Sequence, residues 1–118
     1  KLKIMEVKFP KYVIDFAKNG EFMWNLFPTN GQIILTSSEQ YISRQNCLLS
    51  IDKSKKNVAD SDFQRKTASN GQFYFLQRAD NYEDLGRSEY YNSLITREQG
   101  IESVKRNAPI ANIEDKTK

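Results

Sequence analysis

Few side chains in this sequence are equipped for covalent or acid–base chemistry. Among 118 residues there is no histidine and one cysteine, Cys47. A serine or thiol nucleophile needs a base beside it, so Cys47 would have to rely on a lysine or a carboxylate. It falls on the apolar face of an expected helix, where packing is the usual role of an unpaired cysteine. A lone thiol cannot form an internal disulfide, which fits a reducing cytoplasm. Zinc sites built from cysteine and histidine are excluded. Glu39 and Glu89 recur in matching Ser-Glu-x-Tyr contexts and could face one another across an internal axis as an acid/base pair. Duplication alone guarantees symmetric residues, so a turn-stabilising role beside a packed Tyr41 or Tyr91 is the better expectation. Asp80, Glu83 and Asp84 cluster at a turn and could hold a hard cation, but they lack EF-hand spacing and its glycine. Gly20, Gly31 and Gly71 belong to hairpins, not to a phosphate-cradling loop. The expectation is therefore a non-enzymatic protein without cofactor or metal.

Binding is the alternative, and strand alternation says where. If Phe22, Trp24, Phe73 and Phe75 face the helices, then Met23, Asn25, Phe27, Tyr74, Leu76 and Arg78 face outward. An antiparallel sheet can leave one face wet, yet this face carries more apolar bulk than solvation requires. A partner protein or a small molecule on the open sheet face is the leading expectation. Single-stranded nucleic acid is the runner-up, with Tyr74, Phe27 and Arg78 stacking bases and N-terminal lysines meeting phosphate. The net charge of +3 does not support it: Lys1, Lys3, Lys8 and Lys11, less Glu6, account for all of that excess, so the body is neutral. A phosphate groove needs a local excess of cations.

The elements that must hold these residues appear twice. Asn19-Gly20 reads as a two-residue type I′ hairpin turn between strands at Tyr12–Phe16 and Glu21–Phe27. Pro28-Thr29-Asn30-Gly31 turns into a third strand at Gln32–Thr36. Ser43 caps a helix with Cys47, Leu48, Ile51 and Val58 on one face. The pattern then restarts: a strand at Asp62–Ala68, Asn70-Gly71, an aromatic strand, a turn at Asp80-Asn81, a strand at Glu83–Arg87. A second helix starts at Ser93 or Thr96, with Leu94, Ile101, Val104 and Ala108 buried, and Ile113 closes a last strand. Gly100 in mid-helix costs roughly 1 kcal/mol relative to alanine, which a close approach of helix backbone to sheet would explain. The two copies are offset by 51 residues at Asn-Gly and 50 at Ser-Glu-x-Tyr. Each alone would be marginal in size, and no Gly-, Ser- or Pro-rich linker separates them, so a single domain with a shared core is expected. Repeat one spans about 12–61 and repeat two about 62–115, behind an N-terminal extension at 1–11 that forms an edge strand or a flexible arm. No run is long and apolar enough for a membrane-spanning helix, and no signal peptide opens the chain; the expectation is a soluble, cytoplasmic protein.

Two stretches, Lys66 to Phe75 and Gly100 to Pro109, together with the doubled Asn-Gly and Ser-Glu-x-Tyr, resemble the YegP-like family of small bacterial proteins of unknown function. The likeness covers residues 12–115 and is closer in the second repeat; the first has Ser50 where Gly100 stands and Asn57-Val58-Ala59 for Asn107-Ala108-Pro109. The resemblance implies an α+β fold: tandem β-β-β-α-β repeats sharing one antiparallel sheet, two helices packed on one face, and exchanged terminal strands. It further implies a monomer with internal pseudo-twofold symmetry. It supplies no catalytic residues.

Overall fold

The computed structural model of the chain describes residues 6–118, so the first part of the expected N-terminal extension lies outside the described residues. The elements follow in the expected order: β1 (Lys11–Phe16), β2 (Phe22–Phe27), β3 (Leu35–Ser37), α1 (Arg44–Lys56), β4 (Phe63–Thr67), β5 (Phe73–Arg78), β6 (Asp84–Ser88), α2 (Leu94–Asn107) and β7 (Asn112–Asp115). Short 3-10 turns at Asp60–Asp62 and Ala108–Ile110 lead into β4 and β7. No described helix is long and apolar enough to cross a membrane.

All seven strands form one sheet in the order β4-β5-β6-β3-β2-β1-β7. The two units meet at its centre, where β3 and β6 run antiparallel with Leu35 opposite Ser88 and Thr36 opposite Arg87. The chain is thus the expected tandem α+β fold with a joint sheet, and two details sharpen it. First, β7 of the second unit lies on β1 of the first and runs parallel to it, Lys11 opposite Asn112 and Ile14 opposite Asp115. The sheet is therefore mixed, antiparallel everywhere but at that edge. Second, the exchange is one-sided. After α1 the first unit runs through its 3-10 turn straight into β4, so β4 closes the other edge of the sheet.

The Asn-Gly turns differ from the expected type I′. Ala17 N–H donates to Glu21 O at 2.7 Å and Gly20 N–H to Ala17 O at 2.9 Å. Only the glycine takes positive φ, at 84°. This is a three-residue loop ending in a left-handed glycine, a geometry that also matches strand twist. The asparagine works through its side chain: Asn19 Oδ1 accepts from Glu21 N–H at 2.9 Å. Asn70-Gly71 repeats the arrangement, with Gly71 at 87°.

The helices are capped as their serines require, Ser43 Oγ accepting from Asn46 N–H and Ser93 Oγ from Thr96 N–H, both at 3.1 Å. Ser93, not Thr96, therefore starts α2. Both helices pack on one side of the sheet and bury Cys47, Ile51, Ile101, Val104 and Ala108 with Trp24 and Phe75 in a single cluster. Leu94 departs from expectation: it is 53% exposed. The buried Arg97 takes that end of the sheet instead, its guanidinium 5.6 Å from the Phe73 ring centroid and Nη1 donating to Lys66 O at 3.4 Å. Phe16 is likewise 52% exposed, although it shares a face with the buried Tyr12 and Ile14.

Two glycines allow close packing. A Cβ on Gly100 would meet Tyr91 Cζ at 2.7 Å and Phe75 Cε1 at 3.2 Å, so α2 lies down on the sheet as expected. A Cβ on Gly86 would meet Leu35 Cγ at 2.7 Å and Trp24 Cη2 at 2.9 Å, which places the seam between the units under direct side-chain contact.

Candidate functional site

On the face away from the helices, β3, β5 and β6 enclose a groove of about 490 Å³ at the seam between the units. Its floor is held by two equivalent serines. Ser37 Oγ accepts from Trp24 N–H at 3.2 Å and Ser88 Oγ from Phe75 N–H at 2.9 Å. Each hydroxyl then donates to a following carbonyl, Glu39 O at 2.9 Å and Glu89 O at 2.8 Å. Hydroxyls thus continue the ladder where β3 and β6 turn away, and both are already committed to structure. Thr36, Ser38, Leu76, Asp84, Arg87, Glu89 and Tyr90 complete the lining.

Among the described residues Arg87 is the one cation that lines the groove. Its guanidinium carbon lies 5.1 Å from the Tyr74 ring centroid and 5.3 Å from that of Tyr90, and those rings meet edge to face at 5.5 Å. Arg87 Nη2 also donates to the Tyr90 hydroxyl. Such cation–π contacts hold the planar fork in place without neutralising it. Among the described residues no carboxylate pairs with it. The aromatic pair therefore presents a fixed guanidinium that no carboxylate bonds, in a groove that Glu89 also lines.

The residues expected on this face lie as alternation requires: Met23, Asn25, Phe27, Tyr74, Leu76 and Arg78 are half-buried, between the buried Trp24 and Leu26 on one strand and Phe75 and Gln77 on the other. The groove gathers only part of them. Leu76 lines it and Tyr74 backs Arg87. Arg78 Nε binds Asp84 Oδ1 at 2.8 Å, and Asn25 Oδ1 accepts from the Thr36 hydroxyl at 2.7 Å, so both brace the walls. Met23 and Phe27 are outside the lining, and the Phe27 ring packs at 6.1 Å against Phe9. Arg87 and Tyr90 lie outside the residues expected on this face, because the Ser-Glu-x-Tyr echo marks the end of the third strand and not its outward positions.

The other chemical candidates do not assemble into a catalytic group. Glu39 and Glu89 are exposed, and the tyrosines two positions on bridge back to the aromatic strands, Tyr41 to Phe22 and Tyr91 to Phe73. The acidic turn disperses: Glu83 binds Lys53 at 2.9 Å and Asp84 binds Arg78. Among the described residues no three metal-ligating side chains converge. Cys47 is fully buried, and burial, then the charge of Asp115, pushes its thiol up to about 11. A thiolate nucleophile is thus disfavoured near neutrality.

Residues 17–63 and 68–115 each match the sequence model of a family described as "Domain of unknown function (DUF1508)". The UPF0339 protein of Mannheimia succiniciproducens is 42% identical over 108 residues, covering 91% of this chain and 95% of that one. The UPF0339 protein of Pseudomonas aeruginosa is 40% identical, covering 91% and 97%. Among solved structures, the E. coli protein of unknown function yegP superposes with a TM-score of 0.83 at 31% identity, over 97% of each chain. The UPF0339 protein SO3888 of Shewanella oneidensis gives 0.82 at 30% identity, over 89% of each.

Proposed function

The chain belongs to the DUF1508 family of unknown function, whose model it matches twice, and we propose that it is a non-enzymatic binding module whose open-face groove takes a small polar molecule anchored by Arg87. The observation that carries this reading is the guanidinium clamped between Tyr74 and Tyr90, unpaired with any described carboxylate, in the lining of a groove of about 490 Å³. That volume is within the range of small-molecule sites. A fixed arginine fork suits a carboxylate or phosphate group, and the hydroxyls of Thr36 and Ser38 suit a polar body. A broad protein contact fits less well, because the largest apolar side chain of this face, Phe27, is packed beneath Phe9.

The nucleic-acid reading loses the stacking platform it relied on. The Tyr74 ring is covered by Arg87, Phe27 by Phe9, and Arg78 is bound to Asp84. A titration of ¹⁵N-labelled protein with citrate and with inorganic phosphate tests the proposal. Saturable shifts at Arg87, Ser88 and Tyr90, lost in Arg87→Ala, are expected. Shifts elsewhere only, or unchanged in Arg87→Ala, would overturn it. A single-stranded oligonucleotide that bound on this face, weakening steeply with salt, would instead favour the runner-up.

A further inference from the structure

The duplication produces two equivalent clefts on the helix side, and an ion pair bridges only one of them. Each lies between a helix and the loop joining strands two and three of the other unit. Beneath α1, the cleft facing the β5–β6 loop measures about 220 Å³ and is lined by Tyr41, Ser50, Lys53 and Glu83 among others. Lys53 Nζ and Glu83 Oε1 bridge it at 2.9 Å, and the Tyr41 hydroxyl donates to Ser50 Oγ at 2.7 Å. Beneath α2, the cleft facing the β2–β3 loop measures about 420 Å³. There the four corresponding residues are Tyr91, Gly100, Ser103 and Gln32, all of them lining it. Lysine and glutamate have become serine and glutamine, so the bridge is gone. The serine that accepted the tyrosine proton has become glycine, which leaves the Tyr91 hydroxyl at the cleft without that acceptor.

We propose that the α2 cleft is a second binding site, distinct from the open-face groove, and that it takes a small primary amine carrying a short apolar tail. Among the described residues Glu89 is the only formally charged side chain of its lining, and no cation there pairs with it. An ammonium group is the ligand chemistry that carboxylate selects. The Tyr91 phenol, held in its neutral form by burial and by the charge of Glu89, adds a hydrogen-bonding group beside it. Ile33 and Ile34 supply the apolar wall, Ile33 being exposed and Ile34 buried.

The repeat itself supplies the test. ¹⁵N-labelled protein is titrated with n-butylammonium and, separately, with n-butyrate, following the amides of Gly100 and Ser103. These report the cleft and not the groove, which Glu89 also borders. Saturable shifts at roughly millimolar n-butylammonium, absent with n-butyrate, are expected. Glu89→Gln should weaken the amine at least tenfold. Gln32→Glu with Ser103→Lys rebuilds the bridge of the smaller cleft and should abolish the shifts while leaving the melting temperature within a few degrees. The reciprocal pair, Lys53→Ser with Glu83→Gln, should let the amine perturb Ser50. Equal response to n-butyrate, no shift at Gly100, or binding indifferent to Glu89→Gln or to the rebuilt bridge would each overturn the proposal.

Discussion

The seats of the two helices solve one packing problem with different chemistry. Under α1 the sheet is joined through hydrogen bonds. Ser50 Oγ accepts from Trp24 Nε1 at 3.0 Å, and one turn on, Ser54 Oγ lies 2.7 Å from the Tyr12 hydroxyl and donates to Gln77 Oε1 at 2.6 Å. Gln77 Nε2 then donates to Ser54 O and Asn57 O, at 2.8 and 2.7 Å, closing the C-terminal end of the helix. Under α2 the matching positions are Phe75 and Gly100, then Phe63, Val104 and Leu26, and none of them brings a polar side-chain atom. Buried polar side chains are tolerable only when every member is satisfied, and the network under α1 meets that condition. An apolar seat tolerates sliding better than a network whose donors each have one acceptor. The first helix is located by directional bonds, and the second by shape.

Gln77 belongs to the second unit and binds a helix of the first, so neither seat is complete within its own repeat. The largest predicted effect tests that dependence. Ile51→Asp and Ile101→Asp each place an unpaired charge in a fully buried position, at a cost of several kcal/mol. That is comparable to the whole stability of such a domain. Each should abolish the native spectrum of the entire chain, as read by circular dichroism and NMR. If either variant kept the other half folded, the two units would be separate cores and the comparison would fail.

The polar seat is next. Gln77→Leu imports the residue found at the matching Leu26 but strands Ser54 and two carbonyls, so a loss of about 2–3 kcal/mol is expected by denaturant unfolding. Adding Tyr12→Phe and Ser54→Val completes the apolar version of the other seat. Most of the loss should then be recovered, because an apolar replacement of both partners can be nearly neutral. A triple variant less stable than the single one would show that the two seats are not interchangeable.

These networks mark the limit of what could be read from the residues. The doubled hairpins, the capping serines, the buried aromatic stripe and the reason for Gly100 were all legible, because each follows from local pattern or from one residue's conformational needs. Gln77 sat in a strand as an ordinary buried-face position, and only tertiary placement brings it to the end of a helix in the other repeat. Arg87 was equally silent: its value comes from Tyr74 on a neighbouring strand and Tyr90 beyond the strand end. The missing terminal strand of the first unit was not legible either: residues 57–62 share only Asn57 with their counterpart 107–112, and nothing in those substitutions by itself says that a strand is lost.

Position 47 offers a smaller contrast, since the place of Cys47 on α1 is taken on α2 by Arg97, stacked over Phe73. The buried thiol titrates higher folded, at about 11, than unfolded, at about 9. The folded state therefore holds the proton longer, and this contribution to stability is complete below pH 9 and lost as pH rises through 11. Cys47→Ala should flatten the decline of stability over that window. A slope unchanged by the substitution would assign the decline to other groups, such as Tyr12, whose phenol burial also raises.

The smallest effect should be a gain. The loops after β2 and β5 share one geometry: Gly31 N–H donates to Pro28 O at 3.0 Å, and Tyr82 N–H to Ala79 O at 2.9 Å. Gly31 takes φ of 78°, and Tyr82 takes 65° with a side chain attached. A bulky residue in that region is strained by about 1 kcal/mol or more. Tyr82 is 81% exposed, so almost no packing offsets the strain. Tyr82→Gly should stabilise the protein by about 0.5–1 kcal/mol, the relief being reduced by the freedom glycine adds to the unfolded chain. A rise of a few degrees in melting temperature would follow for a chain of this size. The opposite exchange, Gly31→Tyr, should destabilise by a similar amount, because the two loops differ here in residue and not in shape. A Tyr82→Gly variant that melted lower would mean that this tyrosine holds its loop through contacts that its exposure does not show.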